Sequence, residues 1–125
     1  MTVRQFDSSA LEELFDRRTA AIDELDAVDR ALACELEPLV AQFFFAYSLQ
    51  PEQFVSLFWR SAITDIRKAN SDLDPRITDH DLEVAIREMA RRDELIASND
   101  GRSYSINQHH PLYAELLAAH LRSFG

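Results

Sequence analysis

The sequence predicts a mainly α-helical domain that carries one β-hairpin. Apolar residues recur at three- and four-residue spacing over most of the chain, which is the helical period. Only Gly101 and Gly125 are glycine in 125 residues, so little of the chain is punctuated by turns. The one cluster suited to positive φ, Asn99–Asp100–Gly101, lies between two short β-compatible runs, Leu95–Ser98 and Ser103–Ile106. The length suits one domain, and 46% hydrophobic residues suffice for one modest core.

The first helix is expected to start near Asp7–Ser9, with Ser9 and Glu12 spaced as a capping box. Leu11, Leu14, Phe15, Ala21, Ile22, Leu25, Val28 and Leu32 continue it, with Arg18 interrupting the apolar seam. Pro38 disfavours helix at Glu37, so a stop or kink is expected there. A seam this long suits either the chain's own core or a partner helix. The second alternative makes residues 1–37 a dimerisation-type helix, with Leu11, Leu14, Phe15, Ile22, Leu25 and Val28 at the seam.

Leu39–Leu49 is a short apolar helix whose Phe43, Phe44, Phe45 and Tyr47 suit the centre of a core or a ligand pocket. Pro51 suits a first helical position, and the next helix is expected to reach Asn70. Phe54, Val55, Phe58, Trp59, Ala62, Ile63, Ile66 and Ala69 form its apolar face, with Arg60, Thr64 and Arg67 opposite. Asn70–Thr78 is a polar connector. A helix from Thr78 or Asp79 to Glu94 precedes the hairpin. A last helix restarts at His110–Pro111, and its Leu117 and Leu121 join the dimerisation set.

Composition excludes several functions. The net charge is −9, which argues against nucleic-acid binding by bulk electrostatics. The deficit is uneven. Residues 1–60 carry eleven acids against five bases, and residues 61–125 carry eleven against eight. Two glycines cannot build a GxGxxG turn or a Walker-type phosphate loop. GxSxG and HExxH are absent as well, so no standard catalytic motif is present and a non-enzymatic protein without a cofactor is expected. Cys34 is a lone cysteine in a helical pattern, suited to a buried structural thiol. No apolar run approaches bilayer length and Met1–Arg4 leads into polar sequence, so a soluble, cytoplasmic protein without membrane contact is expected.

The helix before the hairpin divides cleanly at about 100° per residue. Leu82, Ala85, Ile86 and Met89 share one side, and His80, Val84, Arg87 and Arg91 share the other. Arg92 lies toward the core edge. Arg102 sits at the hairpin tip. The order helix, helix, polar turn, amphipathic helix, hairpin resembles the winged helix-turn-helix superfamily. The resemblance is carried by "ITDHDLEVAIREMARRDELIASNDGRSYSIN", residues 77–107, and covers about seventy residues, 38–107 in all. It leaves residues 108–125 as a C-terminal helix. It implies that the helix before the hairpin enters the DNA major groove and that the hairpin is a wing on the backbone or minor groove. His80, Arg87, Arg91 and Arg102 would then contact duplex DNA. Two features depart from the pattern. The preceding helix is long, and Asp79, Asp81, Glu83, Glu88, Asp93 and Glu94 surround the stripe with acids.

Three readings of the stripe therefore stand side by side. In the first, a small dimeric transcriptional regulator sets two such helices in successive major grooves. In the second, the fold serves as an acidic module, an adaptor or inhibitor, binding a basic protein partner. In the third, Arg87 and Arg91 are solvated and paired with Glu83, Glu88 or Glu94.

Metal binding is not expected. Asn70, Asp72 and Asp74 match the opening of an EF-hand loop, but Pro75 stands where the sharp turn needs glycine, and Asp81 stands where a bidentate Glu is needed. His80, His109, His110 and His120 lack spacing that completes a zinc site.

Overall fold

The computed structural model describes residues 6–20, 25–50 and 56–123. Within them, α1 (Ser8–Ala20), α2 (Leu25–Ser48), β1 (Leu57–Phe58), α3 (Trp59–Ala69), α4 (Asp79–Arg91), β2 (Leu95–Ala97), β3 (Ser103–Ile106) and α5 (Pro111–Arg122) follow in order. The chain is thus mainly helical, with a small antiparallel sheet in the order β1-β3-β2.

Helix α1 starts one residue after Asp7, whose carboxylate accepts the backbone N–H groups of Ser9 (2.9 Å) and Ala10 (3.3 Å). Asp7, rather than Ser9, is therefore the cap. Within the described residues the expected first helix is represented by two elements, α1 and α2. α1 packs against α2, and the partner of its apolar seam is this chain's own core. Leu11, Leu14, Phe15 and Val28 are all buried within the single chain, which leaves them no surface for a second copy. Ile22 and Ala21 lie outside the described residues, as does the side chain of Leu25.

Pro38 neither stops nor ends α2, which continues to Ser48 and absorbs the expected Leu39–Leu49 helix. The physical reason is burial. Leu32, Leu36, Val40 and Phe44 form one stripe across the proline, and each is at most 1% exposed. An interior proline costs about 3 kcal/mol. Burying each large apolar side chain returns about 1.5–3 kcal/mol, and the stripe holds four.

The third expected helix also starts later. Leu57 and Phe58 form β1, pairing with Tyr104 and Ser103, and α3 begins at Trp59. Phe54 and Val55 lie outside the described residues. The hairpin is therefore part of a three-stranded sheet, with Leu95, Ile96 and Ala97 opposite Ile106, Ser105 and Tyr104. The Trp59 N–H donates to the Arg102 carbonyl (2.8 Å), tying the hairpin to the start of α3.

Local chemistry explains the α4 boundaries. Thr78 caps it reciprocally with Asp81: the Thr78 hydroxyl accepts from the Asp81 N–H, and the Asp81 carboxylate accepts from the Thr78 N–H. The helix ends in a Schellman arrangement. The Glu94 N–H donates to the Met89 carbonyl and the Asp93 N–H to the Ala90 carbonyl, with Asp93 at φ 64° in the usual glycine position. The hairpin follows at once.

At its tip the Gly101 N–H closes a turn on the Ser98 carbonyl (2.9 Å), and Gly101 has φ 70°. A Cβ there would meet nothing within 4 Å, so backbone freedom rather than space calls for glycine. His110 caps α5, its Nδ1 accepting from the Leu112 N–H (3.0 Å).

Candidate nucleic-acid interface on α4 and the hairpin

The wheel reading of α4 holds for its buried side and for the three charged or titratable members of the opposite stripe, but not for Val84. Leu82, Ala85, Ile86 and Met89 are buried against α2 and the sheet. On the opposite side His80, Arg87 and Arg91 are 67%, 64% and 71% exposed. Val84 is half-buried against the core. Arg102 is exposed at the hairpin tip, its N–H donating to the Asp100 carboxylate (3.0 Å). The Ser98 hydroxyl also donates to Asp100 (2.5 Å), and these two contacts hold the Asp100 carboxyl below its ordinary pKa. The Arg102 backbone is thereby fixed on both sides, by Asp100 and by Trp59.

Both stripe guanidiniums have partners on their own helix. Arg87 pairs with Glu83 (2.6 Å) and Arg91 with Glu88 (2.5 Å). His80 Nδ1 lies 3.9 Å from Glu83. The hydrogen bond from Arg91 holds the Glu88 carboxyl below its ordinary value. These are exposed pairs at helical spacing, worth about 0.3–0.5 kcal/mol each. A phosphate or a guanine edge can take the arginines over at small cost, but the glutamates stay where they are.

Arg92 and Arg67 are committed elsewhere. Arg92 pairs with Glu37 of α2 and with Glu94 (2.9 Å), which fits its place at the core edge. Arg67 donates to Asp79 (2.8 Å) and to the Ile77 carbonyl (2.8 Å), bracing α3 against the start of α4.

Two side chains that the sequence reading undervalued position α4. Asp81, 3% exposed, completes the Thr78 cap with one oxygen and accepts from Arg18 of α1 with the other (2.6 Å). Arg18 Nε lies 3.2 Å from Asp29 of α2. The residue that breaks the α1 seam thus links α1, α2 and the α4 N-terminus. Arg76 adds a second tie, its guanidinium 4.4 Å above the Phe15 ring and 2.5 Å from Glu12. Thr78 was one of two cap candidates in the sequence, whereas Arg18 and Asp81 are 63 positions apart and nothing local joins them.

The same contacts account for the EF-hand-like loop. Asp74 is hydrogen-bonded by Arg76, which lowers its carboxyl pKa to about 2, and Asp81 serves the cap and Arg18. Among the described residues no group of three or more His, Cys, Asp or Glu side chains is placed to hold a metal.

Two clefts flank these elements. One of about 410 Å³ between α3 and α4 is lined by Trp59, Arg60, Thr64, Asp79, His80 and Glu83. Another of about 690 Å³ is walled by the stacked rings of Phe43 and Tyr47, with Asp65 and Lys68 at its rim. Phe44 and Phe45 of the aromatic run are buried in the core.

No protein family matches the chain, and neither a curated protein nor a solved structure matches it. Among the described residues no helix is long and apolar enough to cross a membrane.

Proposed function

We propose that this chain is a small winged-helix DNA-binding protein, a cytoplasmic regulator of transcription that acts as a dimer, with α4 in the major groove and the β2–β3 hairpin as its wing. The observation that carries this reading is the exposed His80–Arg87–Arg91 stripe on a helix that runs directly into a hairpin tipped by Arg102. The buttressing supports it. Recognition needs a side-chain array on a rigid element, and α4 is braced at its start by Arg18 and Arg67 and at its end by the Schellman turn. Arginine can grip guanine or phosphate with the same planar fork.

The test is titration of duplex DNA at rising salt. Wild type is expected to bind with affinity that falls steeply as salt rises. Replacing Arg87 and Arg91 together with Ala is expected to abolish binding. Undiminished binding by that double variant removes α4 from the interface.

One observation favours a second reading. Glu83 and Glu88 neutralise the stripe, and Asp79 beside them is 72% exposed. A basic protein partner would engage these carboxylates rather than the arginines, and the net charge of −9 would steer it in.

A further inference from the structure

The N-terminal seam is spent inside the chain, so a dimer needs another surface, and α5 offers one. Its inner side buries Leu116 and sets Tyr113 and His120 against Phe45 of α2. Its outer side carries an exposed apolar strip, Pro111, Ala114, Ala118 and Leu121, bordered by the exposed Arg122 and the half-buried Glu115. Leu121 is 61% exposed, the highest value among the exposed large hydrophobics of the described residues. One exposed leucine is ordinary on a protein surface, but a strip of apolar residues over three turns with charges along only one edge is less so. The two alanines keep the centre of this face low, which allows a second helix backbone to approach closely.

We propose that α5 packs against α5 of a second copy of this chain, antiparallel, across a two-fold axis near Ala118. Charge placement selects both the occupant and the direction. Glu115 and Arg122 flank the apolar face on the same edge, seven residues and thus two turns apart. In an antiparallel pair centred between them, equivalent edges meet. Glu115 of each copy then faces Arg122 of the other, twice over by symmetry. A parallel pair would instead set this edge against the Leu117 edge of the partner and leave both charges without an ion partner. The seam itself is Ala114, Ala118 and Leu121, with the half-buried Leu117 on the other edge.

A 12-residue helix is about 18 Å long and offers less than the roughly 800 Å² per partner of a standard interface. The dimer is therefore weak, with a dissociation constant in the micromolar range or above. This pairing rests on the dimeric reading above but not on DNA binding. It is tested by sedimentation equilibrium without DNA, so a monomeric result leaves the α4 stripe standing.

Wild type is expected to show a concentration-dependent monomer–dimer equilibrium. Glu115→Arg and Arg122→Glu, each alone, should weaken it about tenfold, because each turns two attractive contacts into repulsive ones. The double variant should restore wild-type association. Far-UV circular dichroism confirms that each variant is folded. A wild type that stays monomeric at millimolar concentration overturns the proposal. So does a dimer indifferent to the single reversals, or one that the double swap fails to restore.

Discussion

Asp81 shows how one residue can serve two scales of structure at once. Its carboxylate closes the Thr78 cap and receives Arg18 from a helix 63 positions away, with 3% of its surface exposed. Asp81→Asn keeps the shape, but it leaves the Arg18 guanidinium beside a neutral amide in a largely buried place. Breaking such a pair from one side costs about 2–4 kcal/mol, measured as a lower midpoint in urea unfolding. Thr78→Ala, which loses only the cap, should cost about 1 kcal/mol. Asp74 gives a pH signature. Its folded pKa of about 2 lies below its ordinary 3.8, so the Arg76 contact stabilises the fold above pH 3.8 and is lost as pH falls toward 2. The stability gap between wild type and Asp74→Asn should therefore be constant near neutrality and close over that acid window. Gly101 and Thr78 were legible in the sequence because turns and caps are local. The Arg18–Asp81 pair was not, because only the packing of α1 on the α3–α4 turn brings it together.

At the scale of elements, the amphipathic helices and the hairpin were legible, and their limits were set by packing. The α4 face could be read from a wheel because its two sides differ sharply in polarity. Pro38 misled for a definite reason: the rule for proline is local, whereas the Leu32–Leu36–Val40–Phe44 stripe that carries α2 past it is a tertiary fact. Strand β1 had no local signal, since two residues acquire strand character only by pairing with Tyr104 and Ser103. The same helix α4 yields a discriminating experiment. Glu83→Gln with Glu88→Gln frees both stripe arginines and removes two carboxylates. On the DNA reading, duplex affinity should rise by about tenfold, from two removed like-charge repulsions of the order of 0.7 kcal/mol each. On the basic-partner reading, these substitutions should leave no gain in DNA binding and should weaken the protein complex.

Over the whole molecule, the proposed DNA contact would have to form against an excess of nine negative charges. The uneven charge balance between the two halves eases this, since it leaves fewer unmatched acids on the half that holds α4 and the hairpin. The core that joins α1, α2, α4 and the sheet keeps these elements in one frame, so α4 and the β2–β3 hairpin would meet a ligand together. The most direct measurement is a titration of isotopically labelled protein with duplex DNA at low salt, followed by backbone and arginine side-chain NMR shifts. On the DNA reading, shifts concentrate at His80, Arg87, Arg91 and the Arg102 hairpin tip, and added salt reverses them. Shifts confined to α1 and α2, or none at all, would contradict it.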